Sequence, residues 1–449
     1  MVGKDKISNN KKETTRFLLN LVDILVLTII YILSVYVFYD NDYEYNYGIR
    51  GYIVLGLLYV LIIYIFNDGF GSFELGTKKI IDIFLSQGMS IFIGDVSMFL
   101  VMSLIEGHIL YKRYPYIIIY LVQLLISLII VYLNTRYIRE SFKPLKALVV
   151  YGSKSYKATV SKLKIYQQYE FEIKKCLSEK EITNKNIYDI LKKYESIICV
   201  DVSHNKKKII AKSAYEENRF VYDVPSITDV LIKASKVSNL IDTPIFKLNK
   251  FGPNRVEAIL KRAMDLFGSV LLLIIGSPIM VVCAIIIKAQ DGGDILFRQK
   301  RLTKDGKIFE LVKFRSMIMN AEPDNKMIRA KQDDPRITKF GSFMRRTRID
   351  ELPQVFNILK GDMSFVGPRA LRIEEYKQNE KDFPEFTYRL KVQAGLTGYA
   401  QLYGKYNTTF RDKLLFDVYY VENYSLIEDI ELILMSFFNM FSKDSTQGF

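Results

Sequence analysis

Residues 266–287 read LFGSVLLLIIGSPIMVVCAIII, and they decide how the rest of the chain has to be arranged. The run is apolar for the roughly 20 residues that a membrane helix needs, yet Gly276, Ser277 and Pro278 sit in its middle. A proline there removes an intrahelical hydrogen bond and favours a kink. A helix that crossed fully would place all that follows on the outer side of the membrane. A helix that enters and turns back keeps both of its ends among the cytoplasmic headgroups, with Lys261 and Arg262 at the first of them. We read the second: a re-entrant helix over about 264–288, broken at Ser277 and Pro278, its freed backbone groups buried against protein.

Working outward, the rest of the chain has 449 residues, enough for two or three domains, and a formal net charge of +14. A basic balance serves nucleic acid, anionic lipid or a phosphorylated substrate alike. Cys176, Cys199 and Cys283 are scattered and there are only two histidines, so neither a zinc site nor a disulfide framework is expected. Four further apolar stretches, at about 18–38, 51–66, 80–105 and 116–133, predict four transmembrane helices that stay in the chain rather than a cleaved signal. Lys4, Lys6, Lys11, Lys12 and Arg16 precede the first, and Arg136, Arg139, Lys143 and Lys146 follow the fourth, so both ends of this bundle belong on the cytoplasmic side. Lys112 and Arg113 on the outer side run against the rule. Asp23, Asp82 and Asp95 lie in or near spans, where an ionisable group is functional by default; pairing inside the bundle or a place near headgroups is the reading preferred for them.

From about 145 to 240 the composition turns soluble. Residues 148–152, 197–202 and 220–224 read as short strands, with Lys-rich segments of helical spacing between them, which predicts a small parallel-sheet, Rossmann-like α/β domain. Only Gly152 stands where a dinucleotide turn needs three glycines, so no bound NAD is expected and a structural or regulatory role is.

Beyond the re-entrant helix, residues 294–301 and 308–315 predict two strands around a tight turn at 303–306. They carry Arg298, Lys300, Arg301, Lys313 and Arg315, interleaved with Phe309 and Phe314, which suits a phosphate pocket at an interface. Between 341 and 360 helical segments are expected, with Pro353 in the first turn of one. Asp350 and Glu351 then fall at a helix N-terminus beside Arg345, Arg346 and Arg348, where a carboxylate stays ionised. An ionised aspartate can attack a phosphoryl group. Adjacent helical residues diverge, so Glu351 is better suited to hold a magnesium ion than to share a proton. Taken alone, such an Asp-Glu pair is more often a capping cluster.

The series FRQKR (297–301), VKFRSM (312–317), DPRIT (334–338), RIDELPQ (348–354), GDMSFVGPR (361–369) and GLTGYAQ (395–401) changes that balance. In this order, from about Arg255 onward, it resembles the bacterial sugar transferase family, the polyprenyl-phosphate hexose-1-phosphate transferases of exopolysaccharide, capsule and O-antigen assembly. The resemblance implies that Asp350 is the nucleophile of a phosphosugar-enzyme intermediate and that Glu351 helps to bind Mg2+. It also implies that Ser277 and Pro278 are the break in a re-entrant helix and that Pro368 and Arg369 form a phosphate-binding element. The proline usual after that arginine is Ala370 here. The family's donor is typically a UDP-sugar, its leaving group UMP and its acceptor undecaprenyl phosphate.

The expectation is therefore an α/β membrane protein with three parts: four transmembrane helices over 1–140, a Rossmann-like domain over 141–250, and a mainly α catalytic domain over 251–449. Catalysis falls to Asp350 and Glu351, substrate binding to Arg298, Arg301, Lys313, Arg315, Arg348, Pro368, Arg369 and Gln401, and the metal to Glu351. The expected place is the bacterial inner membrane with the catalytic part on the cytoplasmic side, where nucleotide-activated sugars are supplied. UDP-sugar, undecaprenyl phosphate and leaflet lipids are the partners, a homodimer is open, and nucleic acid is not expected for want of a recognition helix or stacking motif. An NAD-dependent sugar dehydratase or epimerase would need its chemistry before residue 255, and a membrane scaffold would release no UMP.

Overall fold

A computed structural model describes residues 2–39, 48–107, 114–153, 156–166, 169–240, 243–248, 252–319, 321, 334–404 and 408–439. Lys112 and Arg113, named above, lie outside them. The chain divides into two compact units, Met1–Val224 and Pro225–Phe449.

In the first unit three of the four apolar stretches are cores of longer helices, α1 (Val2–Tyr39), α2 (Gly48–Gly69) and α4 (Tyr114–Ser141), and the other, 80–105, coincides with α3 (Ile80–Ile105). Helix α1 packs on α2 and α4, and α3 on the same two. In those three, apolarity marks only the middle of the helix, because polar residues extend it where they find partners. Past the expected end of α4, Thr135 is buried and Arg139 donates to the carbonyl of Lys78 at 2.8 Å. Two of the three acids turn inward. Asp23 accepts from Gln87, whose amide oxygen takes the Ser127 hydroxyl. Asp95 accepts from Tyr59 at 3.0 Å, and Gln123 donates to that same phenol at 2.8 Å and to the Leu27 carbonyl at 3.1 Å. Asp82 lies in the first turn of α3.

The soluble part of this unit runs β1 (Leu145–Tyr151), α5 (Tyr156–Tyr166), β2 (Phe171–Ser178), α6 (Ile187–Leu191), β3 (Ser196–Val200), α7 (His204–Glu216) and β4 (Phe220–Asp223). Its sheet is wholly parallel in the order β2-β1-β3-β4. Central β3 is buried at every residue and was legible as an apolar run, whereas edge strand β2 mixes buried and exposed positions, so its lysines read as helix. Gly152 serves packing: a Cβ on it would stand 2.1 Å from the carbonyl oxygen of Asp201.

The second unit opens with α8 (Ile227–Lys233) and an antiparallel pair, β5 (Lys236–Leu240) and β6 (Thr243–Lys247), which were not foreseen. Then come α9 (Arg255–Asp291), β7 (Leu296–Leu302), β8 (Ile308–Phe314), α10 (Lys339–Arg346), α11 (Gln354–Lys360), β9 (Met363–Val366), α12 (Ile373–Asp382), β10 (Ala394–Thr397), α13 (Tyr399–Leu402), α14 (Phe410–Glu422) and α15 (Leu426–Asn439). Strands β7 and β8 are antiparallel as predicted, and β9 and β10 are parallel.

Helix α9 outruns the expected 264–288. Asn254 and Glu257 cap its start reciprocally, the Asn254 side chain accepting from the Glu257 amide at 2.9 Å and the Glu257 carboxylate from the Asn254 amide at 2.8 Å, and Gly292 ends it in the left-handed conformation. The helix runs through Ser277 and Pro278 without interruption. Pro278 has no N–H for the carbonyl of Ile274, and the Ser277 hydroxyl reaches that oxygen at 3.5 Å, the outer limit of a hydrogen bond. Among the described residues five helices, α1 to α4 and α9, are long and apolar enough to cross a membrane.

Candidate active site

The segment between α10 and α11 makes the site. Thr338 caps α10, accepting from the Gly341 amide at 2.9 Å. At Arg348 the backbone turns left-handed (φ 54°), a strained state for a residue with a Cβ, and this separates the two helices. Asp350 and Glu351 follow in a 3-10 turn, Ile349–Glu351, with Pro353 at the N-cap of α11. The expected placement at a helix N-terminus is thereby corrected. Pro353 cannot donate to the Ile349 carbonyl as an α-helix would require, so the Leu352 amide takes that oxygen at 3.1 Å and closes the tighter turn.

Asp350 is buried, and Glu351 is half-buried behind two cations that both approach its Oε1: Lys313 Nζ at 2.5 Å and Arg369 Nη2 at 3.9 Å. Burial pushes the Asp350 carboxyl up to about 6, with the neighbouring Glu351 adding to the rise and Lys313, Arg345 and Arg369 restraining it. Glu351 behaves oppositely. Burial opposes its charge, but Lys313, Arg369 and Arg348 outweigh burial and hold it down at about 2. Of the two carboxyls expected to stay ionised, Glu351 is the depressed one and Asp350 the raised one.

Lys313 is held in place by Asn357 of α11, which the sequence reading passed over. Its side-chain oxygen accepts from the Val312 amide at 3.0 Å and its nitrogen donates to the Glu310 carbonyl at 2.7 Å, stitching β8 to the dyad's own helix. Arg345 donates to the Ser316 hydroxyl at 2.8 Å. Arg369 leaves the end of β9 on a loop pressed against β10, where the Gly395 amide donates to the Pro368 carbonyl at 3.0 Å. A Cβ on Gly395 would lie 2.1 Å from the Gly367 nitrogen, so only glycine permits this approach. Arg389, in a buried ion pair with Asp417 at 2.9 Å, donates to the Arg369 carbonyl at 2.9 Å.

Of the residues expected to bind substrate, Lys313, Arg348 and Arg369 are thus brought to the dyad, and Pro368 stands beside Arg369. The others are not. Arg298 sits opposite Val312 while Lys313 sits opposite Phe297, so strand alternation puts Arg298 on the other face of the hairpin, where it pairs with Glu310 at 3.6 Å. Arg315 pairs with Asp291, Arg301 donates to the Ala370 carbonyl at 3.1 Å, and Gln401 to the Leu396 carbonyl at 3.2 Å. Lys261 departs from expectation as well. Instead of meeting headgroups it is buried, bonded to Asp429, while Arg262 caps the end of α11 through the Ile358 and Leu359 carbonyls at 2.6 Å each. A lysine and an aspartate, Asp265, one turn apart at the entry to the apolar run were the available signal.

Among the described residues no cluster of three or more His, Cys, Asp or Glu side chains is placed to hold a metal. Magnesium does not require one, since one or two carboxylates with water and substrate phosphate suffice. The adjacent carboxylates of Asp350 and Glu351 are hard oxygen donors of that kind, and neither cation contact on Glu351 uses Oε2. The donor set fits a half-site of this type.

Comparison with known proteins matches the same part of the chain. The family described as bacterial sugar transferase matches residues 256–443, which include α9, the dyad and the Arg369 loop. A UDP-N-acetylgalactosamine-undecaprenyl-phosphate N-acetylgalactosaminephosphotransferase of Aeromonas hydrophila is 35% identical over 216 residues, 47% of this chain and 50% of the relative. A UDP-glucose:undecaprenyl-phosphate glucose-1-phosphate transferase of Escherichia coli K12 is 34% identical over 223 residues, 49% of this chain and 48% of the relative. The match thus spans about half the length of these two relatives. An exopolysaccharide production protein of Rhizobium leguminosarum bv. phaseoli is 37% identical over 186 residues, 40% of this chain but 93% of the relative. With that coverage and the family match across the dyad and its cations, the chain belongs to the bacterial sugar transferase family.

Proposed function

We propose that this protein transfers a hexose-1-phosphate from a UDP-sugar to undecaprenyl phosphate, the step that starts a lipid-linked exopolysaccharide or capsule repeat. The observation that carries the reading is the unequal dyad. Asp350 is a buried carboxylate with a raised pKa, hence a basic and nucleophilic one, set among Lys313, Arg345 and Arg369, while Glu351 is held anionic beside it. An Asp350 oxygen attacks the phosphorus next to the sugar, and the bond from that phosphorus to the oxygen bridging to the nucleotide breaks. UMP leaves with the electron pair. A phosphate oxygen of the lipid then attacks the same phosphorus and Asp350 is freed. Lys313, Arg348 and Arg369 stabilise charge on the transferring group. Glu351 would hold Mg2+, which when bound neutralises phosphate charge.

The same proposal gives the chain a four-helix transmembrane bundle, a Rossmann-like domain and a catalytic domain, at the inner membrane with the catalytic part cytoplasmic. In support of re-entry, α9 is fastened to one unit at both ends. Asp265 and Ser269 are fully buried on one side, and Cys283 and Ile287 pack with Phe314 and Met344 on the other. The exposed apolar helix between these anchors, 270–282, measures roughly 20 Å at 1.5 Å per residue, short of the roughly 30 Å of a hydrocarbon core. UMP release from a panel of UDP-sugars, with undecaprenyl phosphate and magnesium, tests the function. We expect release from one donor, lost in Asp350→Asn; no release from any donor by folded protein would defeat the reading.

A further inference from the structure

We infer that Lys261, on the membrane-entering helix α9, is a positioning residue for Arg369: paired with Asp429, it fixes the strand end from which the arginine loop departs. The inference rests on the reading that Arg369 meets the donor's phosphate.

Lys261 is 4% exposed and Asp429 0%, so the pair is shut off from water and the geometry of its bonds matters. The ammonium group has three hydrogens and three acceptors: Asp429 Oδ2 at 2.6 Å, the Val366 carbonyl at 3.0 Å and the Tyr420 hydroxyl at 3.1 Å. Tyr420 lies 2.7 Å from Asp429 Oδ1 and 3.2 Å from the Val366 carbonyl. A phenol has one hydrogen, and the charged, nearer oxygen takes it. Within this network the Val366 carbonyl therefore depends on Lys261.

One turn along α9, Asp265 accepts from the Ser364 hydroxyl and the Phe365 amide, both at 3.0 Å. Helix α9 thus grips three successive residues of β9, and the loop 367–369 leaves directly from the third. Farther on, the Pro368 and Arg369 carbonyls are held by Gly395 and Arg389. The loop is anchored at its exit and along its run, so a change at Val366 shifts where the Arg369 guanidinium lies. A buried ion pair is a weak source of stability, often replaceable by apolar side chains. Here it connects the helix that enters the lipid, and α15, to the arginine opposite Glu351.

The test uses the full chain in lipid nanodiscs with undecaprenyl phosphate and magnesium, the donors being UDP-glucose, UDP-galactose and UDP-N-acetylgalactosamine. The variant Lys261→Met/Asp429→Leu replaces the pair by apolar groups of similar size. It is expected to melt close to the native temperature, yet to raise the donor KM about tenfold, with kcat less affected. In an Arg369→Ala background the same replacement is expected to add nothing, because the residue it acts through is gone. An unchanged donor KM in folded protein, or an equal loss in both backgrounds, overturns the inference. Should the double variant not fold, Asp429→Asn keeps an oxygen acceptor and is expected to raise KM about threefold only where Arg369 is present; a rise in both backgrounds, or none, overturns it. Native protein that released UMP from no donor would defeat the functional reading and this inference with it, whereas active native protein with an indifferent Lys261 would defeat the inference alone.

Discussion

Asp350 carries two opposed demands. Burial makes its carboxylate costly and, by the same token, basic enough to attack phosphorus. Its folded pKa of about 6 lies above the ordinary 3.8, so folding favours the protonated form. The stability gained is complete below the ordinary value and lost as pH rises through about 6. Removing the ionisable group while keeping its shape, in Asp350→Asn, should therefore abolish UMP release and raise the melting temperature at pH 7.5, by up to about 3 kcal/mol of stability for a shift of about two units. The difference should vanish near pH 4, and calorimetry at the two pH values measures it. On the proposed mechanism Asp350 attacks in its ionised form, so kcat/KM should fall as pH drops through about 6. Lys313→Met removes a cation that restrains this pKa, and the acid limb should move to higher pH. A limb that stayed in place would show that another group controls it.

Helix α9 carries the membrane part of the proposal. If Ser277 and Pro278 let it turn back, cysteines introduced as Asn254→Cys and Gly292→Cys should react alike with an impermeant maleimide, both protected in intact cells and both labelled in inverted vesicles. In Ser277→Ala/Pro278→Ala the burial of Asp265 and Ser269 at one end and of Cys283 and Ile287 at the other should still hold both ends of α9 on one side, so Gly292→Cys is expected to stay protected in intact cells; labelling from outside would show that the break at Pro278, and not these anchors, returns the chain. Among the membrane helices, Asp23, Gln87 and Ser127 tie α1, α3 and α4 together. Gln87→Leu strands both partners in an apolar interior and should destabilise the first unit by about 1–2 kcal/mol. Asp23→Asn, which retains an acceptor, should cost less; unfolding in detergent mixtures ranks the two.

For the molecule as a whole, the family match and every residue of the proposed chemistry lie within the second unit, Pro225–Phe449. The exopolysaccharide production protein of Rhizobium leguminosarum bv. phaseoli is matched over 93% of its length by 40% of this chain. A fragment 225–449 in nanodiscs is expected to release UMP with a kcat within about tenfold of the full chain. Inactivity of a folded fragment would give the first unit a part in catalysis. At the tip of β1 in that unit a single glycine, Gly152, is taken up by the close approach of two strand ends.

Local patterns were enough to place the long apolar helices, the apolar central strands and the β7–β8 hairpin, because each depends on near neighbours in the chain: the length of an apolar run, strand alternation, a glycine turn; the motif series around Asp350 gained its meaning from the family resemblance. Edge strand β2 escaped because Lys174 and Lys175 interrupt its apolar residues, whereas the other edge, β4, shows Phe220, Val221 and Tyr222 in succession. What only the tertiary structure decided are relations between distant residues. Lys313 and Arg369 meet on one carboxylate oxygen, Arg298 faces away from them, Asn357 clamps β8, and Lys261 is buried against Asp429 rather than placed at the headgroups. Sequence determines which charges exist and on what period they recur. The energy of a charge, and so the difference between a depressed Glu351 and an elevated Asp350, depends on how much water and which opposite charges the fold leaves around it.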